Sequence, residues 1–196
     1  MNTLLELFQD LLKDVYFAET AITKALPKME KAATSPELKK AFAEHLAETR
    51  GQIHRLDEVF ALMSQKPEGK ECHAIMGLIA ENDELIGEQP DTNVLDAGLL
   101  AGAQAVEHYE MARYGTLRAW ADCLGMAEAA HLLEQTLAQE KSTDAKLSVL
   151  AVNSINGACE TGLKLVDEPT AVDGARQKAG RPPAQHSQGE KAHRAT

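Results

Sequence analysis

Six acidic residues lie inside long helical apolar stripes, at positions where a water-soluble protein normally places leucine. They are Glu19, Glu48, Glu107, Glu110, Glu140 and Asp144. Removing a carboxylate from water is costly unless a cation or a hydrogen-bond donor compensates, and grouping several carboxylates raises that cost. A bound pair of metal ions is therefore the simplest explanation for the whole set.

Composition favours helix over sheet and excludes several classes of protein. Aromatic residues make up 4% of the 196 residues, and the net charge is −10. Few aromatic residues favour helix, and an acidic chain does not bind nucleic acid over its whole surface. No segment approaches the roughly 18 apolar residues that cross a membrane, and the N-terminus does not read as a signal peptide. We therefore expect no membrane partner. Cys72, Cys123 and Cys159 form no Cys-x-x-Cys pair, which suits a cytoplasmic protein.

The 3.6-residue period of the apolar positions predicts four long helices. They cover residues 3–32, 36–64, 94–121 and 126–156, the second with a Ser35 cap and Pro36 at its first position. The long connection between the second and third contains a shorter helix over residues 72–86. This plan predicts an all-α, ferritin-like four-helix bundle over residues 1–158, with a long crossover that contains a short fifth helix. An up-down-up-down bundle with an extra helix is the alternative.

Residues 159–196 predict a disordered C-terminal tail, because the apolar period stops and Gly, Pro, Ala and charged residues dominate. The last part of the tail is basic. It could contact DNA or an anionic surface weakly, although tails of this kind are usually just solvated.

The register of the two predicted hairpins brings the acids to one height. Residues equidistant from the turn of an antiparallel hairpin lie level with each other. The midpoint of Glu19 and Glu48 is position 33.5, inside the predicted first turn, and that of Glu110 and Glu140 is 125, inside the second. Contacting helices are about 8–10 Å apart, so opposed carboxylates can share an ion. Such hard oxygen ligands suit iron, manganese or magnesium rather than zinc or copper(I).

The acidic motifs resemble those of ferritin-like dimetal proteins, most closely the rubrerythrin type. The motifs are Glu19, Glu48, Glu107-x-x-Glu110 and Glu140-x-x-x-Asp144. A narrower resemblance is to the YciF-like bacterial stress proteins, on the segments Ala25–Met29, His45–Thr49, Gln104–Glu110 and Leu133–Leu137. The resemblance covers residues 3–157 and leaves out the tail.

Two histidines of the rubrerythrin pattern are replaced in this chain. Gly51 stands three residues after Glu48, and Asp144 stands four residues after Glu140. Either Gln52, through its amide oxygen, or His45 can supply the missing ligand of the second helix. The expected metal ligands are Glu19, Glu48, Gln52, Glu107, Glu110, Glu140 and Asp144, with His45 as the alternative to Gln52.

The resemblance implies a pair of iron or manganese ions that peroxide or oxygen oxidises, in a stress-protective role. This would be ferroxidase- or peroxidase-like chemistry. A face of small residues at Ala101, Ala105 and Ala112 permits close helix approach and fits a homodimer. The alternative is a non-catalytic helical dimer or adaptor without a redox metal centre, in which buried Arg, His and Tyr side chains satisfy the acids.

Overall fold

The computed structural model describes residues 1–159, which form α-helices and no strand. The helices are α1 (Leu4–Ala32), α2 (Pro36–Leu62), α3 (His73–Glu88), α4 (Thr92–Cys123) and α5 (Ala127–Leu150). A turn of π-helix, Ala151–Ile155, and a 3₁₀ turn, Asn156–Ala158, follow α5. The predicted disordered tail lies outside the described residues, apart from Cys159. Within residues 1–159, no helix has the length and apolar character needed to span a bilayer.

The helix ends follow from local chemistry. The Ser35 hydroxyl accepts a hydrogen bond from the Leu38 backbone N–H at 3.3 Å, and Pro36 is the first residue of α2, as predicted. Gly125, with a φ of 71°, makes the turn between α4 and α5. The last predicted helix ran to residue 156, whereas the α-helical winding stops at Leu150 and continues as π-helix.

Asp96, near the start of α4, fixes the topology. Its carboxylate accepts hydrogen bonds from the Thr34 N–H at 2.7 Å, the Thr34 hydroxyl at 2.6 Å and the Ser35 N–H at 2.8 Å. The start of α4 therefore lies at the same end of the molecule as the start of α2. These two helices run parallel, so the chain between them must cross the length of the bundle.

The four long helices pack as two antiparallel hairpins. α1 pairs with α2 and α4 with α5, while α1 also contacts α4 and α2 contacts α5. The crossover helix α3 lies against α1 and α4. The prediction of an all-α four-helix bundle, with a long crossover that contains a short fifth helix, is confirmed.

The apolar core is divided into two halves. One half includes Leu26 and Leu38 near the α1–α2 turn, and the other includes Leu12 and Leu133 toward the opposite end. Burying one such side chain contributes roughly 1.5–3 kcal/mol, so both ends of the bundle are strongly held. The inward positions between the halves are polar.

α3 packs closely on α4 because two glycines of α4 remove side chains from the contact. A Cβ atom at Gly102 would overlap the amide of Asn82, and one at Gly98 would overlap Leu85. Asn82 is buried, and its Nδ2 donates to the Leu78 carbonyl at 2.8 Å. The amide cannot turn away without losing that bond.

We expect Gly102→Ala to lower the free energy of unfolding by about 1–3 kcal/mol, because overpacking outweighs the roughly 1 kcal/mol that alanine gains over glycine in a helix. Gly115→Ala is the matched control on the same helix. Its new Cβ would lie at an ordinary 4.0 Å from Leu137, so this variant should gain stability. Urea unfolding followed by circular dichroism measures both, and equal effects would contradict the close packing.

Candidate metal centre

A layer of buried polar side chains separates the two halves of the core, and all four long helices contribute to it. We name it the central cluster; its members are Glu19 from α1, His45 and Gln52 from α2, Glu107 and Glu110 from α4, and Glu140 from α5. Each member is at most 3% exposed. Each replaces an apolar residue on the inward stripe of its helix, so the helical period directs these side chains toward one another.

Four members of the central cluster present potential ligand atoms to one another. His45, Glu107, Glu110 and Glu140 each offer one such atom, and these atoms all lie within 4.8 Å of one another. His45 Nδ1 lies 3.2 Å from Glu107 Oε1, and His45 Nε2 lies 3.9 Å from Glu110 Oε2. The carboxyl groups also lie beside each other in pairs, Glu19 with Glu110 and Glu107 with Glu140.

Most of these polar atoms have no donor to satisfy them. Among residues 1–159, both oxygens of Glu107, Glu110 and Glu140 and one oxygen of Glu19 are buried without a hydrogen-bond donor. Both amide atoms of the fully buried Gln52 also lack a partner there. Buried polar groups are nearly always paired, and a set of unpaired carboxylates requires a cation or shared protons. One imidazole with several carboxylates is a donor set that suits iron or manganese.

Burial dominates the electrostatics of the carboxyl groups. It raises the pKa of Glu19 to about 7, that of Glu107 to about 8 and that of Glu140 to about 11. The pKa of Glu110 is raised well above its ordinary value, by burial and then by the neighbouring charges of Glu19 and Glu140. Without a cation, these groups hold protons near neutral pH. Metal binding at this position would displace them.

His45 is held in the form that binds metals. Burial lowers its pKa to about 4, so the imidazole is neutral at physiological pH. A neutral imidazole can coordinate through a ring nitrogen, whereas an imidazolium cannot. Of the two candidates for the missing ligand of the second helix, His45 lies 3.2 Å from a Glu107 oxygen, while the buried Gln52 amide has no hydrogen-bond partner among residues 1–159.

Two further side chains organise the surroundings. The Tyr114 hydroxyl donates to Glu19, and a donor of this kind orients a carboxylate toward a neighbouring ligand position. Arg55 reaches from α2 to α5, where its Nε donates to the Thr136 hydroxyl at 2.8 Å and its guanidinium also binds Gln139. In the described part of the chain, no arginine or lysine forms an ion pair with the central cluster.

Two of the predicted ligands lie at the flanks of the central cluster. Glu48 accepts hydrogen bonds from the Thr143 hydroxyl at 3.0 Å and from Lys146 Nζ at 3.5 Å. Asp144 accepts one from the Gln104 amide at 3.2 Å. Both charges are close enough to raise the pKa of Glu107. Their role as ligands stays a prediction, as it does for the buried members.

The sequence motifs favoured Gln52 over His45 as the ligand from the second helix. His45 lies three residues before Glu48 on the same face of α2, a spacing that places a side chain one turn away from a predicted ligand. The rubrerythrin pattern expects histidine three residues after the glutamate instead, at the position of Gly51. In this chain the histidine precedes the glutamate along the helix, so the pattern does not identify it as a candidate ligand.

The family to which the chain belongs can be determined by comparison with known proteins. The sequence profile of a family described as "Domain of unknown function (DUF892)" matches residues 3–160. The chain belongs to the DUF892 family. This assignment agrees with the resemblance to YciF-like stress proteins, which rested on four short segments.

Individual proteins support the same assignment. Protein YciF of Escherichia coli (strain K12) is 46% identical over 161 residues, which cover 82% of this DUF892 chain and 97% of that protein. The crystal structure of the E. coli stress protein YciF matches with a TM-score of 0.77, over 80% of this chain and 99% of that one. YcfI from Rhodopseudomonas palustris, suggested to be a structural protein, is 51% identical with a TM-score of 0.74, over 75% of this chain and 94% of that one.

Proposed function

We propose that this protein holds two iron or manganese ions in the central cluster and oxidises them with peroxide or oxygen, in a stress-protective role. The observation that carries the proposal is the set of buried ligand atoms from His45, Glu107, Glu110 and Glu140, all within 4.8 Å of one another. The stress-protective role rests on the similarity to the E. coli stress protein YciF.

The chain would hold the ions through side chains with distinct positions. Glu107, Glu110 and Glu140 would ligate from α4 and α5, His45 from α2, and Glu19 from α1, where Tyr114 fixes its orientation. Glu48 and Asp144 complete the expected ligand set, with Gln52 as the alternative to His45 on α2. The ions would supply the redox chemistry, while the apolar halves of the core keep bulk water away and hold the ligands in place.

Anaerobic loading of the metal-free protein with Fe(II), followed by desalting and elemental analysis, tests this proposal. We expect about two ions per chain, the number that a carboxylate-bridged pair requires. Glu110→Ala removes a fully buried carboxylate and should abolish the uptake. Peroxide-driven oxidation of the loaded protein, followed by its absorbance, then separates a redox centre from a passive metal site.

Glu134→Ala provides the matched control. Glu134 lies on α5 like Glu140, but it is half exposed and paired with Arg118 at 3.1 Å. Its loss should leave the metal content unchanged. A wild-type protein that binds no metal would instead support the alternative, a non-catalytic helical dimer or adaptor.

The proposal also includes a cytoplasmic homodimer. Ala101, Ala105 and Ala112 share one exposed face of α4 with His108, and small side chains allow close approach of a second helix. The molar mass in solution of the desalted samples distinguishes a dimer from a monomer or a larger cage.

A further inference from the structure

A groove along the seam between α2 and α5 leads to the central cluster. Its volume is about 290 Å³, and its lining includes His45, Glu48 and Thr143. His45 belongs both to this groove and to the central cluster, and its Nε2 has no hydrogen-bond partner among the described residues. The His45 imidazole therefore borders both the groove and the buried carboxylates.

The opposite side of the central cluster, between α1 and α4, is less accessible. α3 covers the side formed by α1 and α4. A second cavity that reaches His45 lies beneath α3, between apolar side chains such as Leu26 and Val106, and has a volume of only about 20 Å³. That cavity has room for about one water molecule and therefore cannot admit a hydrated ion, whereas the groove is more than ten times larger.

Charge along the groove favours a cation. Glu37, Glu44 and Glu48 line it together with Lys40 and Lys146, which leaves an excess of negative charge. The excess is one negative charge, and an excess of one sign in a cleft attracts ions of the opposite sign. Lys40 pairs with Glu44 at the exposed rim, at 3.6 Å. Of the charged groups that line the groove, Glu48 and Lys146 are the ones that act on His45.

We propose that this groove is the entrance by which a divalent cation reaches the central cluster, and that Lys146 controls it. The Lys146 ammonium lies 3.5 Å from Glu48 Oε1 and is half exposed. Both residues line the groove, so an incoming cation would meet Glu48 with the ammonium already beside it. A half-exposed ion pair is weak, so a divalent ion can displace the ammonium and then pass His45.

This inference rests on the proposed function, because an entrance requires a site that binds the ion. It adds a role for Glu48, an expected ligand at the flank of the central cluster, and assigns roles to Thr143 and Lys146, which are not ligands. Glu48 acts first as a receiving group at the surface, with Thr143 orienting its second oxygen at 3.0 Å. Lys146 acts as a resident positive charge that slows uptake.

The rate of anaerobic Co(II) uptake tests the charge at the entrance. Co(II) bound by protein ligands absorbs visible light, so stopped-flow absorbance follows loading of the full-length protein directly. We expect Lys146→Gln to raise the initial rate on the order of tenfold, because it removes a repulsive charge beside the first binding group. Lys141→Gln is the control: it makes the same change of charge on the exposed side of α5 and should change the rate by less than about twofold.

A second pair of variants tests the route itself. Ala41 lines the groove, so Ala41→Trp should obstruct it and slow uptake by about tenfold or more, with the final Co(II) content unchanged. Ala43→Trp places the same bulk on an exposed position of α2 outside the groove and should load at the wild-type rate. Circular dichroism of each variant verifies that the helices are retained.

The outcomes separate the entrance from the site. If wild-type protein reaches full Co(II) content while Lys146→Gln and Ala41→Trp load at the wild-type rate, the entrance is overturned and the metal site stands. If the wild-type protein takes up no Co(II) at all, the proposed function fails and the entrance fails with it. A faster Lys146→Gln together with a slower Ala41→Trp supports the entrance.

Discussion

Saturating Mn(II) should raise the free energy of unfolding of the metal-free protein by about 4 kcal/mol for each bound ion at a free concentration of roughly a thousand times Kd. The reason is that only the folded chain brings together Glu107, Glu110 and Glu140, whose carboxyl groups have no donors among residues 1–159 and would exchange their protons for the ions. Such a gain corresponds to an increase in Tm of roughly 8–16 °C for a domain of this size. Differential scanning calorimetry with and without Mn(II) measures it.

Glu140→Gln should change both the stability of the metal-free protein and its response to Mn(II). Glutamine keeps the shape of the side chain but cannot ionise, so the metal-free variant should be about 1–4 kcal/mol more stable than the wild type near neutral pH. It should also lose most of the stabilisation by Mn(II). Glu134→Gln, on the exposed side of the same helix, should differ from the wild type by less than about 1 kcal/mol and keep the full response.

A wild-type protein that ignores Mn(II), together with a Glu140→Gln variant that behaves like Glu134→Gln, would contradict the metal site. In that case shared protons alone would satisfy the carboxyl groups, and the polar layer would serve only to set the register of the helices. The stability of the metal-free protein thus discriminates between the two functional alternatives without any assay of activity.

The helical period made much of this arrangement predictable. An acid on an apolar stripe must point inward, and the hairpin midpoints place Glu19 level with Glu48 and Glu110 level with Glu140. In the structure Glu19, Glu110 and Glu140 are all buried, and Glu19 lies beside Glu110. The parallel course of α2 and α4 was likewise predictable, since the crossover segment is too long for a simple turn. The local sequence encodes the direction in which a helical side chain points and the register of a helical hairpin, so both could be predicted.

The surroundings of the flanking acids were not predictable, because they depend on neighbours from other helices. Glu48 lies among donors supplied by α5, the Thr143 hydroxyl and the Lys146 ammonium. Asp144 similarly meets the Gln104 amide of α4. These tertiary contacts, and not the helical period of the sequence, determine the rotamer of a half-buried carboxylate. The contacts of Glu48 with Thr143 and Lys146 also form part of the groove.

The metal-free protein should lose stability as the pH rises from about 6.5 to about 8, because its buried carboxyl groups keep protons that the unfolded chain releases. The folded pKa is about 8 for Glu107 and about 11 for Glu140, against an ordinary value of 4.5. Stability from these groups is fully present below the ordinary value and is lost as the pH rises toward the folded value. Each extra proton held by the folded state removes about 1.4 kcal/mol per pH unit.

The pKa shift of His45 has the opposite effect on the pH dependence of stability, but this effect falls mainly below that pH range. The pKa of His45 is lowered to about 4, so its contribution is lost only as the pH falls below the ordinary value of 6.5. We therefore expect a decrease of roughly 2–4 kcal/mol between about pH 6.5 and pH 8, measured by urea unfolding in the presence of a chelator. Glu140→Gln should reduce the slope of stability against pH by about 1.4 kcal/mol per pH unit, the contribution of one proton. A flat or rising profile in the wild type would mean that the carboxylates are satisfied without protons or ions.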